Sequence, residues 1–389
     1  MNVGIFTESF EPVTNGVSVS VTTLRTELQA LGHKVYVFAP AYRGMKCNED
    51  GVIRFPSVHT PFAPDYPLAM PYLSKLKKRV SMLNLSVIHT QTPFALGWLG
   101  QYLGKRLGIP VISTNHTRYT EYVHYVPLIP KSISRAFLVG MMRTYYNRCT
   151  GVVVPTNPVG ELLREFGIKT PIYVIPTGVT IRTARDPQIR KKIREEFGIP
   201  KDSRTLIYVG RLAAEKNLKL LFAAFQRLAR EHQDIRLLIV GGGPGEPACR
   251  RMAADTGYAS RVSFTGMVSR NDIAGYYSAG DIFTFPSTTE TQGIVLCEAL
   301  GAGLPCVAVN AGGSAEMLID KDDSLLCENS VQDFTSKIDF LLSNPASMQK
   351  FSENAVKNAA RFTPESMANC MLHAYESVCS HARRNASNS

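Results

Sequence analysis

The strongest constraint on the fold is a rhythm. Short apolar, β-branched runs recur along the whole chain, separated by stretches with helical spacing. In the first half the runs are 3–7, 34–39, 87–90, 110–114, 152–155 and 172–175. In the second half they are 205–209, 236–240, 262–265, 282–285, 306–309 and 325–327. Runs that are apolar throughout belong to strands buried on both faces, and intervening helices make such sheets parallel. Two consecutive sets of six predict an α/β chain of two doubly wound, Rossmann-like domains. A length of 389 residues suits two cores better than one.

The expected join lies in "VIPTGVTIRTARDP", 174–187, which gives domains over 1–178 and 179–362. A last helix, expected over 363–382 and packing back on the first domain, precedes a tail "RRNASNS" that reads as frayed. The segment "SVHTPFAPDYPLAMP" reads as a proline-rich loop. Ligands of open parallel sheets bind beyond the carboxyl ends of the strands. Two such sheets facing each other are expected to form a cleft with binding loops on both walls.

Composition removes several function classes. No apolar stretch approaches the roughly 20 residues of a membrane-spanning helix. The start, "MNVGIFTESFEP", has none of the features of a signal peptide and reads as a first strand. The eight cysteines form no C-x-x-C pair and no cluster with histidine, so free thiols in a reducing cytosol are expected rather than disulfides or zinc. The net charge of +11 is unevenly placed: 18 Lys/Arg face nine Asp/Glu over 1–180, but 25 face 23 beyond. An excess confined to one half points to an anionic partner, whether nucleic acid, phospholipid surface or charged substrate.

The strand ends carry the candidate chemistry. "TESFEPVTNGVSVSV" ends at Asn15-Gly16 and opens a helix, a place for a phosphate or simply a tight turn. His116 in "STNHTRYTEYVHY" directly follows a strand, with Glu121 and His124 further along as acceptor contacts and Glu8 after the first strand as another. In "LIYVGRLAAEKNLKLLF", Arg211 and Lys216 are two permanent cations suited to a diphosphate. "GGGPGEPA" formally matches a dinucleotide fingerprint, but no acid stands at the end of the next strand, so tight-turn glycines explain it. In "TTETQGIVLCEALGAG" Glu290 is expected in the loop after a strand and Glu298 within a helix starting near Gly293; eight residues apart, close to two helical turns, both are expected to face one cleft. Paired carboxylates accept hydrogen bonds from vicinal hydroxyls, as on a sugar or ribose. "NAGGSAEMLID" adds a further strand-to-helix junction at Gly312–Ser314.

With "EPVTNGV", the post-strand His116, "VGRLAAEKN", Glu290-x7-Glu298 and "EALGAGLPCVA" in place, the chain resembles retaining family 4 glycosyltransferases of the GT-B fold, from Asn2 to about Phe362. The resemblance implies a nucleotide-sugar donor, UDP- or GDP-linked, with no metal or other cofactor and no nucleic acid. It implies that Arg211 and Lys216, with the Gly16 backbone, neutralise the departing diphosphate. Glu290 would hold donor-sugar hydroxyls, Glu298 the ribose, and His116 the donor sugar near the reacting carbon. Met267, Val268, Gly293, Ile294 and Val295 would complete the nucleotide site.

Within the family, "SVIHTQTPFALGWLG", "NHTRYTEYVHY" and "TETQG" look most like bacterial diacylglycerol glycosyltransferases and related sulfoquinovosyl transferases. A membrane-lipid acceptor and a peripheral position on the cytoplasmic face follow from that likeness. The charge map agrees. "LSKLKKRVSML" sets Lys75, Lys77, Lys78 and Arg79 among apolar residues at helical spacing, and "PKSISRAFLVGMMRTYYNR" sets Lys131, Arg135, Arg143 and Arg148 likewise. Basic amphipathic helices suit an anionic membrane surface, although the same pattern also describes helices packed on a sheet. A soluble or polysaccharide-intermediate acceptor, a non-catalytic sugar-nucleotide binder and, from another class, an NAD-dependent oxidoreductase are the alternatives.

Overall fold

The computed structural model describes residues 1–13, 15–42, 49–60, 63–70, 73–117, 131–180, 186–270 and 272–387. Two compact units emerge: Met1–Gly178 together with Pro364–Ser389, and Val179–Thr363. Among the described residues the strands are β1 Asn2–Phe6, β2 Lys34–Pro40, β3 Val52–Phe55, β4 Ser57–Thr60, β5 Ala63–Ala69, β6 Val87–Thr90, β7 Val111–Thr114, β8 Gly151–Val154, β9 Ile172–Val174, β10 Arg204–Val209, β11 Ile235–Val240, β12 Val262–Phe264, β13 Ile282–Phe285, β14 Cys306–Val309 and β15 Ser324–Cys327.

In the first unit seven strands make one parallel sheet in the order β3-β2-β1-β6-β7-β8-β9. Strand order reverses between β1 and β6, whose register pairs Val3 with Val87 and Phe6 with Thr90. The sheet has one strand more than the apolar runs announce. Arg54 interrupts the β3 run, yet Val52, Ile53 and Phe55 are buried at the edge beside β2. The proline-rich segment read as a loop contains the antiparallel ribbon β4–β5. In a two-stranded ribbon each strand keeps one edge unpaired, which is where prolines are tolerated.

Helix Ala95–Leu107 presses a glycine stripe against β6 and β7. A Cβ on Gly97 would lie 1.9 Å from the Thr92 carbonyl oxygen, and one on Gly104 would lie 2.3 Å from Val111 Cγ2. The final helix, Pro364–Ser387, buries Met371, Tyr375 and Val378 with Val3, Val21 and Leu24 of the first unit. It runs on to Ser387 instead of fraying after 382, since 383–387 contain neither proline nor glycine. Helix Leu73–Met82 turns Leu76 and Val80 into the core and leaves Lys77, Lys78 and Arg79 exposed. Its apolar stripe is therefore used for packing and is not offered outward; the Lys75 side chain lies outside the described residues.

The second unit has a six-stranded parallel sheet, β12-β11-β10-β13-β14-β15, with its reversal between β10 and β13. Helices bury both faces. Leu221, Phe225 and Phe334 fill one side, and Leu296, Leu300 and Phe283 the other. All seven described cysteines are free thiols, five of them buried.

Candidate active site

Each unit gathers polar side chains where its strand order reverses. In the first, His116 lies past β7 and donates from Nε2 to Gln91 Oε1 at 2.7 Å. Burial pushes its pKa down to about 4, so the ring is neutral at physiological pH. His89 is wholly buried, with Nδ1 on Tyr375 Oη at 2.8 Å and Nε2 on Thr114 Oγ1 at 2.7 Å, and burial takes it to about 3. Glu8 is committed locally. Its carboxylate accepts from Thr92 Oγ1 and, at 2.6 Å, from the Leu96 N–H, capping the helix Ala95–Leu107 that Phe94 leaves without a side-chain cap. Burial outweighs those bonds and raises its pKa to about 7.

At the Gly16 helix, Asn15 Oδ1 accepts from both Val17 N–H and Ser18 N–H at 3.0 Å, and Ser18 completes a capping box. The helix end is thus largely satisfied by its own cap, leaving the Gly16 N–H as its contribution. Glu121 and His124 lie outside the described residues.

In the second unit two loops are laced together beyond β10 and β13. Lys216 Nζ pairs with Glu290 Oε1, both side chains only partly exposed. Asn217, in a left-handed conformation (φ 54°), donates to the Pro286 carbonyl at 3.0 Å and to Asn329 Oδ1 at 2.9 Å. The Gly313 N–H donates to the Glu290 carbonyl at 3.1 Å, so that glycine junction is spent on holding the Glu290 loop. Arg211 is exposed immediately after the strand. The glycines of "GGGPG" serve this lacing. The Leu212 N–H bonds to Gly242 O at 2.9 Å and the Gly245 N–H to Leu212 O at 2.8 Å, and a Cβ on Gly241 would stand 2.1 Å from Gly210 O. Close backbone packing accounts for these glycines, and the dinucleotide fingerprint has nothing further to rest on.

Glu298 lies within the helix Ile294–Gly301. Glu290 precedes the helix Ile294–Gly301, so helical spacing does not relate the two glutamates. Tyr277, itself buried, donates to Glu298 Oε2 at 2.7 Å. Both line a cavity of about 210 Å³ with Thr180, Arg270, Ile273, Ala274 and Ala302. Burial raises the Glu298 pKa against the pull of the Tyr277 bond and the Arg270 charge. Val268, Ile294 and Val295 are half-buried against the core, Gly293 is left-handed (φ 78°), and Met267 is 82% exposed. Among the described residues one group, Glu231, His232 and Asp339, has ligand atoms close enough for a metal. It lies by Arg204 at the opening of β10, away from the strand ends just described, and His232 is already bonded to Arg204 and to Asp339.

The model of glycosyltransferase family 4 matches residues 14–182, and that of glycosyl transferases group 1 matches 189–358. The alpha-monoglucosyldiacylglycerol synthase of Streptococcus pneumoniae is 35% identical over 79% of this chain and 71% of its own. The chain belongs to glycosyltransferase family 4. The synthase of the same name from Acholeplasma laidlawii is 28% identical over 91% of this glycosyltransferase and 92% of its own length. Among solved structures, sucrose-phosphate synthase from Thermosynechococcus elongatus superposes with a TM-score of 0.78 at 20% identity, covering 98% of this chain and 99% of that one. That likeness establishes the GT-B fold. Sequence reading of this glycosyltransferase missed Gln91, Asn217, Arg270 and Tyr277. Asn217 was legible as the last residue of "EKN"; Tyr277 inside "GYYSAG" reads as an ordinary core aromatic.

Proposed function

We propose that this glycosyltransferase transfers a hexose, with retention of anomeric configuration and without a metal ion, from a nucleotide sugar to a membrane lipid such as diacylglycerol or a glycosyldiacylglycerol. The observation that carries the reading is the Lys216–Glu290 pair, which ties the loops past β10 and β13 together, with exposed Arg211 in the same loop as Lys216. Two cations there suit a diphosphate leaving group, whose developing charge they stabilise as a divalent ion otherwise would. Release of Lys216 to the phosphate frees Glu290 to accept from donor-sugar hydroxyls. Glu298, oriented by Tyr277, suits the vicinal hydroxyls of ribose. His116, neutral, meets the donor sugar as a hydrogen-bonding group. The leaving phosphate takes the acceptor's proton, so no protein nucleophile is required.

The lipid acceptor is supported by the names of the two synthases and by the surface of the first unit. Helix Lys131–Tyr146 exposes Ile133 by 59% and Phe137 by 71%, with Arg135 and Arg143 exposed on the same helix. Lys77, Lys78 and Arg79 add charge that favours the anionic cytoplasmic leaflet, each cation contributing roughly 1 kcal/mol near such a surface. The test is a donor panel of UDP- and GDP-hexoses scored by nucleotide release with diacylglycerol vesicles, with the product's anomeric configuration read by NMR. Turnover restricted to a soluble acceptor, or no flotation with anionic liposomes at low salt, would remove the lipid assignment. An inverted product or loss of turnover in EDTA would remove the mechanism.

A further inference from the structure

Gln91 is the first residue past β6, and His116 stands two residues past β7, the neighbouring strand. Both therefore occupy the carboxyl edge of the sheet beside its reversal point, where ligands of such sheets bind. The Gln91 backbone is pinned, its N–H donating to the Phe6 carbonyl at 2.9 Å, and the residue is only 1% exposed. Its side chain faces two ways. Oε1 accepts from His116 Nε2 at 2.7 Å, which puts the ring hydrogen on Nε2. The amide nitrogen, equally buried, meets no acceptor among the described residues.

Buried amide donors are normally paired, so an unpaired one next to a candidate site calls for an explanation. The contrast with His89, two residues earlier, is informative. His89 has both ring nitrogens bonded inside the first unit, to Thr114 and to Tyr375, and is a structural histidine. Gln91 has half its hydrogen-bonding capacity spent on His116 and half unspent.

We infer that Gln91 is a positioning and substrate-contact residue: its carbonyl oxygen fixes the His116 imidazole in one tautomer and orientation, and its amide donates to an oxygen of the bound donor sugar. The inference rests on the proposed role of His116 at that sugar. Because burial keeps the ring neutral, the tautomer decides which nitrogen presents a hydrogen and which a lone pair, and Gln91 makes that choice.

The test uses the full-length enzyme with Gln91→Leu, Gln91→Glu and His116→Ala, each shown by thermal unfolding to be folded. Nitrogen-15 histidine spectra of the unliganded protein report the His116 tautomer. Turnover is measured against pH with whichever of UDP-glucose and GDP-mannose the parent consumes, diacylglycerol vesicles being present. Gln91→Leu is expected to lose the fixed Nε2–H signature and to lower kcat/KM roughly 10- to 100-fold. Gln91→Glu, by placing a carboxylate on the ring, is expected to move the acid limb of the pH profile upward toward neutrality. A parental tautomer in Gln91→Leu together with a parental pH profile in Gln91→Glu would overturn the inference. Loss of turnover in His116→Ala with parental kinetics in both Gln91 variants would also overturn it. Full turnover in His116→Ala would instead remove the donor-sugar role of His116, and the tautomer spectra alone would then decide whether Gln91 orients it.

Discussion

Asp281 offers a way to separate the frame of the second unit from its chemistry. The carboxylate is 8% exposed at the opening of β13. One oxygen accepts from Arg190 Nη2 at 2.7 Å; the other accepts from Arg194 Nη2 and from the Thr205 N–H, both at 2.8 Å. Arg194 is 4% exposed and spends its remaining donors on Thr205 Oγ1 and on the carbonyls of Ala279, Pro200, Lys201 and Ser203. Replacing Asp281 by Asn keeps the shape and removes the charge, leaving two guanidinium groups, one of them buried, with a neutral partner. Breaking one side of a buried ion pair costs about 3–5 kcal/mol. For a unit the size of Val179–Thr363 that lowers the unfolding temperature by roughly 10 °C.

The assay is paired thermal and urea unfolding with turnover measured well below both transitions. Asp281 lies at the strand openings, whereas Arg211, Lys216 and Glu290 lie past the strand ends. Stability should therefore fall with kcat unchanged. The double variant Asp281→Leu/Arg194→Met, which removes both buried charges, should recover much of the loss. A loss below about 1 kcal/mol for Asp281→Asn would show that the network is not holding the sheet. A large fall in kcat for folded protein would show that the two ends of the sheet are not separable in this way.

Three further outcomes are expected. Lys216→Ala removes the proposed phosphate cation and the ion-pair partner of Glu290, and should lower kcat by roughly 100- to 1000-fold with little change in unfolding temperature; parental turnover would refute the leaving-group role. Tyr277→Phe strands the buried Glu298 carboxylate without its donor and should weaken nucleotide binding roughly tenfold by calorimetry, leaving the kcat at saturating donor nearly intact. Glu8 has its pKa raised from 4.5 to about 7 because the fold disfavours its charged form. Its stability contribution is therefore full below 4.5 and lost as pH rises through about 7, an amount of order 3 kcal/mol, and urea titrations should show that fall in the parent but not in Glu8→Gln.

Much of the fold was legible because doubly wound sheets advertise themselves. A strand buried on both faces can only be apolar throughout, as "LLIV" in β11 and "VVV" in β8 are. Where burial is one-sided or the strand is short, the signal fails. β3 carries Arg54, and the ribbon β4–β5 carries prolines, so neither announces itself. The helix Leu73–Met82 shows the complementary ambiguity: one amphipathic pattern fits a membrane and a sheet equally, and only the burial of Leu76 and Val80 decides. At the sites, Lys216 and Glu290 could be named from the sequence because charges in apolar surroundings are conspicuous. Their pairing, 74 positions apart, could not. The helix expected to start near Gly293 begins at Ile294, with Glu290 in the loop before it and Glu298 within it. Gln91 and Tyr277 escaped notice because an amide or a phenol gains its meaning from its partner.

The two units repeat one topological device and use it for opposite electrostatic ends. Past β10 and β13 the groups are charged: exposed Arg211, and Lys216 held by Glu290. Past β7 the His116 ring is neutral near pH 7, since burial lowers it to about 4, and past β1 burial raises Glu8 to about 7, so that it carries only part of its charge there. On the proposed reading a diphosphate leaving group needs cations, and a fixed full charge of either sign on the groups assigned to the sugar would compete with them or draw the cations away. Neutral hydrogen-bonding groups orient hydroxyls without perturbing the charge that develops on the phosphate. The division explains why histidine, rather than lysine or arginine, suits the end of β7. It also requires that a permanent cation there, as in His116→Arg, fail to restore the turnover lost in His116→Ala even when the folded protein still binds nucleotide with parental affinity.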